Sequence, residues 1–93
     1  MWRYQVVYRT IDSGESTHME YSICEVYLDD TGKLESWTES PRMTPYGESS
    51  VELISDLKTM MTDAEKWKAV DFDQMQTGMT FERIKNEQEK ECE

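Results

Sequence analysis

From Trp2 to Ile11 the chain alternates: Trp2, Tyr4, Val6 and Tyr8 share one side, Arg3, Gln5 and Arg9 the other, with Val7 and Ile11 mixed in. Period-two alternation of aromatic and β-branched residues predicts a half-buried antiparallel strand. The polar, glycine-containing run Asp12–Thr17 predicts a loop. A second strand is expected from about Met19 to Leu28, with Met19, Tyr21, Ile23 and Tyr27 on one face and Cys24, Val26 and Leu28 on the other. Asp29-Asp30-Thr31-Gly32 places glycine last, where a bulged hairpin needs a positive φ. Lys33 to about Glu39, carrying Leu34 and Trp37, completes an antiparallel meander of three strands.

Pro41, Pro45 and Gly47 exclude both helix and central strand from the next segment. Ser49-Ser50-Val51-Glu52 fits a capping box, with Ser49 as N-cap. Behind it Val51, Leu53, Ile54, Leu57, Met60, Met61 and Ala64 recur at steps of three and four, predicting an amphipathic helix of about four turns. Its stripe is expected to cover one face of the sheet, because three strands alone bury too little. Thr62-Asp63-Ala64-Glu65 resembles a second capping box where the helix could end or restart, and Val70–Asp73 reads as a short fourth strand or extended arm. The fold class is α+β: a meander of three, or with Val70–Asp73 four, antiparallel strands, one amphipathic helix on one face, and a charged C-terminal segment. The expected unit is residues 1–78. Residues 79–93 follow as a short helix or frayed tail with Met79, Phe81 and Ile84 as its large apolar side chains.

At 93 residues one domain fits and two do not. Twenty acidic against ten basic residues give a formal charge of -10. The excess runs through the whole length, nine acids to four bases in residues 1–50 and eleven to six in 51–93. Direct binding to nucleic acid or to an anionic membrane is disfavoured, since neither finds a basic patch. An acidic surface suits solubility, a basic partner, or imitation of a phosphate array. Cys24 and Cys92 are too far apart for a zinc site or a disulfide framework. Cys24 reads as a small buried hydrophobe and Cys92 as a free thiol, which fits a reducing, cytoplasmic setting. No apolar run approaches membrane-spanning length and no signal-peptide pattern opens the chain.

No catalytic, cofactor-binding or metal-binding residue is expected. His18, the one histidine, stands in a polar stretch without an adjacent nucleophile. Asp29–Gly32 lacks the alternating ligands of a calcium loop. Phosphate-binding glycine loops and nucleophile elbows are absent. What remains is apolar surplus: one helix shields one sheet face, and Val7, Cys24, Val26, Leu28 and Trp37 would leave the second face adhesive. These five residues are the expected partner-binding surface, for a protein partner or a second copy of the chain. The leading functional expectation is a non-enzymatic adaptor or inhibitor. The alternatives are a phage-type inhibitor that mimics nucleic acid with its carboxylates, and a small ligand-binding module or enzyme using a pocket between helix and sheet.

The stretches Tyr21–Tyr27 (YSICEVY), Asp30–Lys33 (DTGK), Trp37–Pro41 (WTESP), Gly47–Ser49 (GES) and Glu52-Leu53 resemble a family of short bacterial proteins, also met in phage and cyanobacterial sequences. The resemblance covers roughly residues 2 to 64. Cys24 stands where that family often has histidine, so any role of that histidine is lost here. The family carries no established activity, and the resemblance implies the fold alone. A looser, topological likeness exists to the strand-meander-plus-helix core of HicB-type antitoxin domains, and topology does not transfer function.

Overall fold

The computed structural model describes residues 1–39 and 44–84. Three strands, β1 (Trp2–Asp12), β2 (Thr17–Leu28) and β3 (Leu34–Trp37), form the expected antiparallel meander. Asp29 organises the β2–β3 turn: its carboxylate accepts from the backbone N–H of Thr31 at 2.8 Å and of Lys33 at 3.0 Å, and Gly32 takes φ +85°. The pairing slips beside Tyr27 and Leu28, the bulge that such a turn favours. The helix α1 (Ser50–Lys66) starts where its cap places it, with Ser49 Oγ accepting from Glu52 N–H at 3.2 Å. It passes through Thr62–Glu65 without a break.

The fourth strand, β4 (Val70–Asp71), exists, but it pairs parallel to β1 through Val7 and Tyr8, so the sheet is mixed with order β3-β2-β1-β4. Antiparallel geometry is unavailable to it. The helix returns the chain to the free edge of β1 already running in the same direction. A 3-10 turn, Phe72–Gln74, follows directly.

The expected boundary after Gly78 falls inside the packed unit. Leu34 donates its N–H to Met79 O at 2.9 Å and accepts from Gly78 N–H at 2.7 Å. Beyond it, Lys68 N–H donates to Glu82 O and Ile84 N–H to Lys66 O, around an antiparallel bridge between Trp67 and Arg83. Residues 79–84 are extended, and Met79 and Phe81 pack on the core. The rest of the expected tail, with Cys92, lies outside the described residues, as do Ser40 to Met43 before the helix.

The core is the cluster of Val7, Cys24, Val26, Leu28, Leu34, Phe72 and Met75, with Trp37, Val70, Met79 and Phe81 packed against it. Register explains the membership. Arg3 stands opposite Val26, Gln5 opposite Cys24 and Val7 opposite Ser22, and directly opposed residues point to the same face. That face is roofed by the chain after the helix. Its polar member Gln5, fully buried, donates to Lys68 O at 2.7 Å and accepts from Arg3 Nη1 at 2.7 Å. The Arg3 guanidinium lies 4.1 Å from the Trp67 ring and 4.8 Å from that of Phe81, and Arg9 lies 4.5 Å from Phe72.

Burial pushes the Cys24 thiol up to about 11. The folded state therefore holds this proton over a range in which the unfolded chain, at 9.0, releases it. The contribution is complete below pH 9 and is lost as pH rises toward 11, by about 1.4 kcal/mol per pH unit. Between pH 9 and 10, Cys24→Ala is expected to flatten the fall in stability, measured by urea unfolding. A slope identical to that of the unsubstituted chain would show that the thiol is not the group responsible.

Candidate functional site

Val7, Cys24, Val26, Leu28 and Trp37, the expected docking residues, are not an open surface. The first four are buried and Trp37 is half-buried. The physical reason is the roof: the sequence assigns no covering element to this face, and residues 67–81 supply one without regular secondary structure over most of their length.

The exposed face is the other one. Register gathers Trp2, Tyr4, Val6, Tyr8, Thr10 and Asp12 of β1 with Tyr27, Glu25, Ile23, Tyr21, Met19 and Thr17 of β2. Tyr21 is 61% exposed, and Trp2, Met19 and Tyr27 are exposed with it. Tyr8 and Tyr21 pack ring to ring across the strands at 5.6 Å. No lysine or arginine from either strand lies on this face, because Arg3 and Arg9 both point into the core side.

Helix α1 leaves most of this face open because of how it is anchored. The Asp63 carboxylate accepts from the backbone N–H of Tyr4 at 3.0 Å, and the Asp56 carboxylate, two turns earlier, accepts from the Tyr4 hydroxyl. The helix thus climbs from the β1 edge along the Tyr4 side chain. Asp56, Met60 and Asp63 recur at helical spacing on the docked side, and Met60 is the buried residue of α1. The apolar stripe lies about a quarter turn away. Of that stripe, Leu53, Ile54, Leu57 and Met61 stand exposed, with Val51 beside them.

Where helix meets sheet there is an open cleft of about 560 Å³, lined by Trp2, Tyr4, Glu25, Tyr46, Glu52 and Asp56 among others. Trp2 and Tyr4 meet edge to face at 5.2 Å and 90°. Tyr46 is tied in by its N–H, which donates to Asp56 Oδ2 at 2.8 Å. Gly47 is needed here: a Cβ would run into the backbone of Glu52 and Leu53, so only glycine lets the Tyr46 segment lie against the first turn. Asp56 is held below the usual carboxylate range by the Tyr4 hydroxyl and then by Tyr46 N–H, so it stays ionised. The Tyr4 hydroxyl is pushed upward by burial and by the same carboxylate. A second cleft of about 510 Å³ lies across the molecule between Arg3, Leu28, Thr31, Trp67 and Phe81.

His18 is exposed, with Nε2 3.4 Å from the Glu20 carboxylate. Asp29 is occupied by its turn. Among the described residues no group of three or more His, Cys, Asp or Glu side chains is arranged to hold a metal ion, and no helix is long and apolar enough to cross a membrane. The cleft lies between helix and sheet, where one of the alternative expectations puts a pocket, and Tyr46-Gly47 ahead of the capped helix is a further signal for it in the sequence. No family model, no curated protein and no solved structure matches the chain.

Proposed function

We propose that the chain is a small, acidic, non-enzymatic interaction protein of the cytoplasm. It binds a protein partner through the aromatic strand face and the exposed apolar stripe of α1. One observation carries this reading: eleven large hydrophobic side chains stand exposed among the described residues, more than the nine hydrophobic residues buried in the core. Nine of the eleven fall in two groups, Trp2, Met19, Tyr21 and Tyr27 on the strand face and Val51, Leu53, Ile54, Leu57 and Met61 on α1, where a solitary protein would scatter them. Charge selects the partner. The open strand face carries Asp12 and Glu25 without a lysine or arginine on a chain of net charge -10, so a partner with a basic rim is attracted and a second copy is repelled. Because rings outnumber carboxylates on this face, a protein surface fits it better than the site of a phosphate array. Membership of the short bacterial family rests on the resemblance across residues 2 to 64 and adds no activity.

The test is quantitative affinity capture from the host's own extract with the full chain, Leu57→Glu and Tyr21→Glu. Both substitutions are exposed, so both variants should keep the circular dichroism of the parent. The expected result is one specific partner with a lysine- and arginine-rich surface, its recovery falling at least about tenfold with each variant. A partner retained by both variants, or none recovered by the parent, overturns the proposal. So does a dimer in sedimentation equilibrium that the same substitutions dissociate, since the occupant is then a second copy.

A further inference from the structure

We propose that the cleft lined by the rings of Trp2, Tyr4 and Tyr46 and by the carboxylates of Glu25, Glu52 and Asp56 takes a single organic cation, the head of a lysine or arginine side chain of the docked partner. This deepens the reading of an interaction protein and rests on it. Trp2 packs edge to face with the buried Tyr4, and Tyr46, 72% exposed, adds a third aromatic side chain to the lining. Aromatic faces attract cations through their quadrupole, and desolvated walls strengthen the attraction. Three carboxylates line the same space and, among the described residues, no basic side chain does. Two are already oriented: Asp56 by the Tyr4 hydroxyl and Tyr46 N–H, and Glu25 by the Tyr27 hydroxyl at 2.6 Å. Glu52 lies in the first turn of α1 and brings a third negative charge to the rim. An anion meets only repulsion here, and a neutral apolar group would strip water from carboxylates without replacing it. A cation on a flexible stem satisfies both halves of the lining. The open mouth suits a side chain offered from a partner's surface better than a free metabolite, which would need enclosure.

The experiment is an amide and indole NMR titration of the full chain with three probes: N-acetyl-arginine amide, N-acetyl-lysine amide and the neutral isostere N-acetyl-citrulline amide. Saturable shifts are expected with one or both cations at the Trp2 indole N–H and at the amides of Tyr46 and Glu52 to Asp56. The stronger of the two identifies the side chain. Citrulline should leave these signals in place. The Glu25→Gln/Glu52→Gln double variant removes two surface charges while leaving Asp56 on Tyr4, and should weaken cation binding about tenfold with an otherwise unchanged spectrum. Trp2→Leu should weaken it while the charges remain. Equal shifts with citrulline, shifts confined to other surfaces, or binding unaffected by the double variant would each overturn the assignment. Failure here with docking still sensitive to Leu57 and Tyr21 removes the cleft and leaves the proposed function standing. Cation binding without any docked partner removes the function and leaves the cleft.

Discussion

Val26→Lys is expected to unfold the chain, while Tyr21→Lys leaves it folded, although both residues sit in β2 and a strand-by-strand reading ranks the tyrosine as the more important core residue. Val26 is 0% exposed and packs in the cluster with Leu28 and Leu34. An ammonium placed there has no carboxylate to pair with on the buried face, and the cost is several kcal/mol. That is comparable to the whole stability of a small domain, about 5–15 kcal/mol. Tyr21 has only its tilted packing on Tyr8 to lose, about 0.2–1 kcal/mol for a cross-strand pair. Urea unfolding followed by tryptophan fluorescence checks the contrast, since Trp37 and Trp67 flank the core side. A cooperative transition for Val26→Lys, or its loss for Tyr21→Lys, would reverse the assignment of inside and outside on which the docking surface depends.

That assignment was the part of the fold hardest to read from residues. The strands themselves are legible because alternation, the Asp29–Gly32 turn and the Ser49 cap are local signals, and each appears in the structure where local chemistry puts it. Which side of a strand faces inward is decided by what arrives to cover it, and that is a long-range matter. Rings on Trp2, Tyr4, Tyr8, Tyr21 and Tyr27 make one face look like the core, and Arg3, Gln5 and Arg9 make the other look wet. The outcome is reversed because residues 67–81 supply Trp67, Phe72 and Phe81, which stack on the two guanidiniums, and the carbonyl of Lys68, which satisfies Gln5. Of Trp67, Val70, Phe72, Met75, Met79 and Phe81, only the Val70–Asp73 stretch is signalled as an element, and nothing local says which face it covers, yet together they form the roof. The helix shows the same limit. Its stripe is plain in sequence, but its docking is set by Asp56 and Asp63 on Tyr4, polar contacts that hydrophobic periodicity does not register. The two faces are exchanged relative to the expectation: the aromatic side is open, and Val7, Cys24, Val26 and Leu28 are enclosed.

Arg3 is the sharpest case of a charge used as packing, and its substitutions should separate charge from shape. Nη1 donates to Tyr4 O at 2.9 Å and to Gln5 Oε1 at 2.7 Å, while Nε and Nη2 are buried without a hydrogen-bond partner. Burial lowers its pKa to about 10, against the pull of Asp63 in the opposite direction. The folded state thus carries a penalty for this proton, present at neutral pH and relieved only as pH rises above about 10 toward the higher range in which the unfolded chain releases it. Arg3→Met keeps the stem between the rings of Trp67 and Phe81 and removes the penalty, at the cost of leaving Gln5 Oε1 and Tyr4 O without the Nη1 donor, about 1–3 kcal/mol for each. Two unmade bonds from a charged group cost at least as much, so stability at pH 7 is expected to be unchanged or to rise by up to about 2 kcal/mol. Arg3→Ala opens a cavity between two aromatic rings and should lose about 2–4 kcal/mol. Arg3→Lys keeps the charge but loses the flat stack, and its unfolding midpoint should fall below that of the methionine variant. Chemical denaturation of the three variants at pH 7 decides the matter. If Arg3→Met is as damaging as Arg3→Ala, the site depends on the charge facing Asp63, and the ring stack does not explain why an arginine is buried there.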